Sequence, residues 1–326
     1  MTSITLMNSF SSVKGRWESV VENSVVNSPF LAIQWQQKWW EEIGQRNNIC
    51  FLCISDEKET IGIAAFKSVG DEISLVGDDD VCDYNDFVIA GGNEYSFFTD
   101  LVDYLAGKEW KTLRLPSLTP ESPTLRFLPD LARAKGFSVE VEKGEVAPGK
   151  ILPLSWDIYQ AELTKKDRHE LRRKLRRLDS AEGMKWYFLD EPSDVEGAMD
   201  DFLRLLGLSR ESKYRFLTPE REKFFRAMAR AMSELGIVRL FFLEIGGERV
   251  ASAFCFDHKD KRLLYNSGYD PQYSYYSVGL LLNALSLKSA IESGKSYYDF
   301  LRGDEQYKYH LGGTDRQLYN MLITKG

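Results

Sequence analysis

The sequence predicts an α/β (α+β) protein made of two copies of one domain, each a mostly antiparallel central sheet flanked by helices. Three observations predict it. Residues 49–77, ICFLCISDEKETIGIAAFKSVGDEISLVG, and residues 238–270, VRLFFLEIGGERVASAFCFDHKDKRLLYNSGYD, share one order: apolar strand, polar turn, apolar strand, charged turn, third strand. Each is followed by a helix-like stretch and then one more strand. The chain has 326 residues, 43% of them hydrophobic, enough for one large or two ordinary domains.

Taken in order, IQWQQKWWEEIG (33–44) reads as an amphipathic helix before the first meander. The meander turns at Asp56–Thr60 and Gly70–Glu72. EYSFFTDLVDYLAGKEW gives the next helix and KTLRLPSL the closing strand. LTKKDRHELRRKLRRLDSAEG then forms one strongly basic connecting helix, with Leu171, Leu175 and Leu178 as an apolar stripe. It reads either as a solvated connector or as a cationic wall facing phosphates or RNA. GMKWYFLDE opens the second copy with a strand. AMDDFLRLLGLSR and PEREKFFRAMARAMSELG are helices, the latter with Thr218 as cap, Pro219 in the first turn and Gly236 past the end. The second meander turns at Gly246–Arg249 and Lys259–Arg262. VGLLLNALSLKSAIESGK and SYYDFLRG repeat the helix and strand. The expected organisation is a first domain over 1–163, a basic connecting helix over 164–182, and a second domain over 183–326.

Composition narrows the function. The net charge of −7 disfavours binding driven by global charge to nucleic acid, so no DNA partner is expected. No apolar run is long enough to cross a bilayer, and MTSITLMNSFSSVKGRW lacks the basic start and apolar core of a signal peptide. The expectation is a cytoplasmic protein without membrane insertion. Cys50 and Cys53 form a C-x-x-C inside a strand-like run, where residues three apart face opposite ways; ordinary buried thiols are expected. His169 and His258 lack ligand-spaced partners, so no metal is expected, and without G-x-S-x-G hydrolase chemistry is disfavoured.

The chemistry-bearing residues gather in two places of the second half. After YNSGYD, Ser277 reads as an N-cap, and the turn Ser277, Val278, Gly279, Leu280, Leu281 offers backbone N–H groups at the positive end of a helix. Such an end holds a pyrophosphate, or it is simply a well-capped helix. The stretch YYDFLRGDEQYKYHLGG, Tyr297 to Gly313, collects Arg302, Asp304, Glu305, Tyr307, Lys308, Tyr309 and His310 just beyond a strand. It reads as an active site on a rigid strand end, or as a polar surface loop. The first half carries Asp78, Asp79, Asp80, Asp83 and Asp86 at the corresponding place, and these carboxylates would repel a pyrophosphate.

YNSGYDPQYSYYSVGLLL, YDFLRGDEQYKYHLG and LTKKDRHELRRKLRRL together resemble the CelD-like acetyltransferases, the cellulose-biosynthesis-type members of the GNAT acyl-CoA N-acyltransferase superfamily. The chain is more distantly similar to the Fem-type aminoacyltransferases, which take the acyl group from aminoacyl-tRNA. The resemblance implies tandem GNAT-like domains, with no permanently bound cofactor but acetyl-CoA or another acyl-CoA as co-substrate. It implies a donor site at Tyr269, Ser277, Val278, Gly279, Leu280 and Leu281, with Gly279 as the one obvious counterpart of the usual Gly-rich pattern. Transfer to an amine or hydroxyl needs a base, an oxyanion donor and a proton for the thiolate. Asp304 or Glu305 is the expected base, Tyr307 or Tyr309 the expected acid. Arg302 and Lys308 are expected to bind a phosphate or the acceptor, and Asp83 and Asp86 to bind a cationic or polyhydroxyl acceptor unless the basic helix offsets them. The acceptor is expected to be a small molecule, saccharide or peptide, in polysaccharide or cell-envelope metabolism. A tRNA partner belongs only to the Fem-like alternative, and a non-catalytic binding module is the third reading.

Overall fold

Apolar runs of strand length alternate with helical repeats along the first part of the chain. They form β1 (Thr2–Met7), α1 (Phe10–Glu22), α2 (Ile33–Glu42), β2 (Asn48–Asp56), β3 (Glu59–Val69), β4 (Glu72–Leu75), β5 (Val88–Ile89), α3 (Glu94–Ala106), β6 (Thr112–Leu118), α4 (Pro123–Ala134) and β7 (Ser138–Val146). There follow β8 (Gly149–Ile151), α5 (Trp156–Glu162), α6 (Lys165–Asp179), β9 (Lys185–Leu189), α7 (Pro192–Ser209), α8 (Glu211–Phe216), α9 (Pro219–Glu234), β10 (Val238–Ile245), β11 (Glu248–His258), β12 (Lys261–Tyr269), α10 (Val278–Glu292), β13 (Tyr297–Asp299), α11 (Gln306–His310) and β14 (Gln317–Thr324). This computed structural model describes residues 2–57 and 59–326; Lys58, in the expected turn Asp56–Thr60, and Met1 lie outside the described residues.

The chain divides into two units, Met1–Glu145 with Gln317–Gly326, and Val146–Arg316. In the first unit the strands run β1-β2-β3-β4-β6-β14-β7, with β5 also pairing β3. The meander β2–β3–β4 is antiparallel and β4–β6 is parallel. β2 and β3 read as near-continuous apolar runs because both faces of the sheet are covered; Phe51 to Ile54 and Ile63 to Phe66 are all buried. Cys53 is one of them, a free thiol whose pKa burial pushes up to about 11.

The domain boundaries differ from those the sequence suggested. The last strand, β14, belongs to the first unit, where it pairs antiparallel with β6 and puts Met321 against Leu115 and Ile323 against Leu113. All four side chains join the core of that sheet. Conversely, β8 pairs with β13 in the second unit. The basic segment is not a connector either. Leu171 and Leu178 of α6 are buried in the same core as Leu281, Leu282 and Leu285 of α10, so α6 is part of the second unit. Burying each leucine stabilises that packing by about 1.5–3 kcal/mol.

The second unit has the strand order β8-β13-β12-β11-β10-β9. Its meander β10–β11–β12 repeats the first, and the repeat extends to backbone detail. Left-handed residues stand in the first turn of each meander (Glu57, φ 50°; Gly246, φ 61°), in the second turn of each (Gly70, φ 58°; Lys259, φ 52°), and at the ends of matching strands (Ser117, φ 57°; Leu301, φ 58°). α10 is apolar on nearly every face because it is buried on nearly every face. Under it, Arg262 of β12 is 1% exposed, grips Asp257 with Nε at 2.6 Å and Nη2 at 2.8 Å, and donates to the Ser286 carbonyl at 3.0 Å.

The acidic segment of the first unit folds inward at one position. Asp86 is buried and accepts hydrogen bonds from the hydroxyls of Ser122 and Thr124 and from the Phe87 N–H. It fastens its loop to the start of α4 and is not presented to an acceptor, a correction to the reading of the sequence. Asp78 accepts from the Trp39 indole N–H at 3.0 Å and from its own turn. Asp83 is half-buried.

Burial raises the Asp86 pKa to about 6, partly offset by its hydrogen bonds, against about 3.9 in an unfolded chain. The native state therefore binds the extra proton between these values. The stability this carboxyl contributes is fully present below about pH 4 and lost as pH rises through about 6. Thermal melting of wild type and Asp86→Asn across this range should show the difference, wild type minus variant, falling from pH 4 to 6 and flat above.

Candidate active site

In the second unit the parallel pair β12–β13 spans three residues only: Lys261 faces Tyr297, Arg262 faces Tyr298 and Leu263 faces Asp299. β12 runs on to Tyr269, while β13 stops. A bulge between Phe254 and Cys255 of β11 shifts the register just there. Beyond Leu263 lies a cavity of about 270 Å³, floored by Ser267 and Tyr269.

One wall is the junction of α7 and α8, which supplies Ser209, Arg210 and Lys213. Gly268 lets this wall in. A Cβ there would stand 2.5 Å from the Leu205 carbonyl oxygen, so helix backbone rests directly on strand backbone.

The second wall is the start of α10. Ser277 is left-handed (φ 56°, ψ 38°), and its side chain makes no cap; its Oγ accepts from Arg177 Nη2 at 3.2 Å. The expected N-cap is corrected accordingly. Leu281 donates its N–H to the Ser277 carbonyl at 3.0 Å and its side chain is core. The N–H groups before that first helical bond are those of Val278, Gly279 and Leu280, and all three residues line the cavity. Gly279 is required by Tyr269, whose Cδ1 lies 2.7 Å from where a Cβ would be. α6 adds cations here: Lys174 lines the cavity, and the Arg177 guanidinium stacks 4.6 Å from the Tyr275 ring.

The third wall is the chain after β13. Lys308 is 2% exposed, and its ammonium donates to three carbonyls: Leu301 at 2.9 Å, Arg302 at 2.6 Å and Gly303 at 3.0 Å. Its protons being spent, Glu305 Oε2 sits 2.9 Å away as a counter-ion. Asp299 Oδ1 accepts the Leu301 N–H at 2.8 Å, which stabilises the left-handed turn. Lys308 is therefore the anchor of the loop and not a substrate ligand, a second correction. The loop turns Glu305 and Tyr307 into the cavity.

The electrostatics follow from these contacts. Burial pushes the Glu305 carboxyl up, but the ammoniums of Lys308 and Lys213 outweigh it and hold its pKa below the ordinary value. Burial, with the nearby Glu305 charge, pushes the Tyr307 hydroxyl far above its ordinary value, so it keeps its proton. Burial lowers Lys213 to about 8, with Arg210 acting in the same direction. Its Nζ donates to the Ser267 carbonyl at 2.5 Å.

Of the residues singled out in the sequence, Tyr269, Ser277, Val278, Gly279, Leu280, Glu305 and Tyr307 meet in this one cavity. Asp304 is exposed and Arg302 half-buried, and neither is part of the lining. Tyr309 turns away and donates to Asp315 at 2.7 Å, which raises its pKa to about 12. The sequence reading passed over Ser209, Arg210, Lys213, Ser267 and Asn283. Only Asn283, a lone amide in the apolar run LLLNALSL, carried a local signal.

Residues 165–309 match the sequence model of the acetyltransferase (GNAT) domain family, and this span lies wholly within the second unit. No curated protein matches the chain. Among solved structures the chain is similar to FemX (TM-score 0.66, 12% identity, 97% of this chain and 96% of that one). It is also similar to the C-terminal domain of a protein described as a lysylphosphatidylglycerol synthetase of Agrobacterium fabrum (TM-score 0.62, 11%, 98% and 93%). A tandem GNAT protein from the clavulanic acid biosynthesis pathway follows (TM-score 0.53, 10%, 100% and 99%). At such identities the likeness concerns the fold, and it agrees with the two repeated sheets: the architecture is tandem GNAT-like.

Replacing Lys308 by Met should leave three carbonyls and the Glu305 charge without their cation. Loss of one partner of a buried ionic cluster costs about 3–5 kcal/mol. Urea unfolding of Lys308→Met should show a loss of that size.

Proposed function

We propose that the second unit binds acyl-CoA in this cavity and transfers its acyl group to an amine or hydroxyl acceptor, in polysaccharide or cell-envelope metabolism. The observation that carries the reading is the meeting of three first-turn N–H groups of α10 with Lys174 of α6 at the cavity, and with Arg177 beside it on Ser277 Oγ. The helix end and the two cations suit a pyrophosphate, the N–H groups by direction and the side chains by charge. In this reading the thioester lies between Tyr269 and the loop after β13. Glu305, kept ionised by two lysines, orients the acceptor. Tyr307, the expected acid, lines the same cavity, but burial and the Glu305 charge hold its proton too tightly for transfer to a thiolate, which takes its proton from solvent.

A second donor is favoured by one feature. Lys165, Lys166, Arg172 and Arg176 of α6 are exposed beyond the cavity, which suits an RNA backbone and so an aminoacyl-tRNA donor. Thermal shift with acetyl-CoA, longer acyl-CoAs and tRNA separates the two. A donor at 100 times its Kd should stabilise the protein by about 2.7 kcal/mol. In calorimetry, Lys174→Glu with Arg177→Glu should weaken acetyl-CoA binding about ten- to a hundred-fold, since charge-assisted hydrogen bonds contribute roughly 1.5–3 kcal/mol. The unliganded double variant should stay folded, with a melting temperature lowered only by the lost Arg177 contacts to Ser277 and Tyr275. Unchanged affinity in the folded double variant would remove the pyrophosphate from this wall.

A further inference from the structure

Proton removal from the acceptor needs a group that stands unprotonated near physiological pH, can take up a proton, and reaches the cavity. Asp304 is exposed and outside the lining. Glu305 lies 2.9 Å from the buried Lys308 ammonium, which disfavours its taking up a proton. Tyr307 holds its own proton. Lys213 stands apart from these. It lies on the wall formed by the α7–α8 junction, with its amine on the floor strand at the Ser267 carbonyl. Ser267 also touches Asn283, whose Nδ2 lies 3.5 Å from Ser267 Oγ. Asn283 is 3% exposed, lines the same cavity, and its Oδ1 is a buried acceptor without a hydrogen-bond partner. A buried amide oxygen left unmatched points to a ligand that donates to it.

We propose that Lys213 is the proton acceptor of this site, taking the proton of the attacking amine or hydroxyl while Asn283 Oδ1 holds a second hydrogen of the acceptor or donor. The assignment rests on the acyl-CoA reading above. As the acceptor's N or O bonds to the thioester carbon, its proton passes to the neutral Lys213 amine. The C–S bond then breaks, and the thiolate takes up a proton from solvent as Lys213 gives its own up to solvent. One proton leaves the acceptor and one joins the thiol, so no other reactant is needed.

The groups facing the amine are Arg210 beside it and Glu305 and Lys308 from the chain after β13. Burial and the two cations favour the neutral amine, Glu305 opposes them, and the balance falls at about 8. The reactive form therefore grows as pH rises through that value.

The test is thiol release from acetyl-CoA between pH 6 and 10, with water alone and with a panel of small primary amines, for wild type, Lys213→Met and Lys213→Arg. Wild-type kcat/KM should show an acid limb centred near 8. Both variants should lose about 10²-fold in turnover, the size expected of a positioned base, and should lose the limb, while acetyl-CoA affinity by calorimetry changes little. Arginine matters because it keeps the charge but cannot give up its proton. Full activity in Lys213→Arg would make Lys213 a fixed cation and overturn the assignment. So would an acid limb persisting in Lys213→Met, or wild-type binding of acetyl-CoA without release above the solvent rate. Absence of acetyl-CoA binding in wild type defeats the donor reading itself, and the assignment with it.

Discussion

The Lys308 ammonium, enclosed by three carbonyls and the Glu305 carboxylate, is the contact on which the second unit's cavity depends. β13 ends after three residues, and the chain beyond it must reverse without a strand partner. Three carbonyls in a row then point inward. Buried carbonyls demand donors, and one ammonium offers three. The cation in turn requires an anion, and Glu305 supplies it from the cavity side. A left-handed Leu301, a conformation that costs an L-residue about 1–2 kcal/mol, is held in place by this arrangement. Structural demand and the electrostatics of the site are thus the same set of charges.

The cavity exists because β12 outruns its parallel neighbour. Each surface exposed by that divergence is covered by something the core already needs. α10 is the centre of the hydrophobic cluster, and its first turn emerges where β12 is bare. α7 rests on β12 through Gly268 and brings Arg210 and Lys213 along. α6 is fastened by its leucines to α10, which fixes where Lys174 and Arg177 stand. The first unit repeats the strand order with other consequences. Its acidic loop is stitched down by Asp86 to the start of α4, and its sheet is completed by the last strand of the chain. One architecture therefore carries different loops in its two copies.

Much was legible from the sequence alone. Both meanders, their turns, the helices after them and the caps at Thr218 and Gly236 follow from hydrophobic period and turn chemistry, which act over a few residues. The contrast between the acidic loop of the first copy and the neutral turn at Ser277 to Leu280 is written in residue types. So is the clustering of Glu305 and Tyr307 beyond a strand. The tertiary structure alone decided what depends on distant partners. The sequence reading places no strand at 317–324, where β14 forms, because local pattern does not say that the sheet of the first unit lacks one. A leucine stripe says that α6 packs, but not on which helix. A lysine in the sequence is a charge whose three donors are unassigned. In the fold, Lys308 spends them on carbonyls and turns inward, while Lys213, unremarkable in the short helix α8, is desolvated against Ser267. Solvation and hydrogen-bond partners are properties of packed neighbours, and packing sets them only when the whole chain has folded.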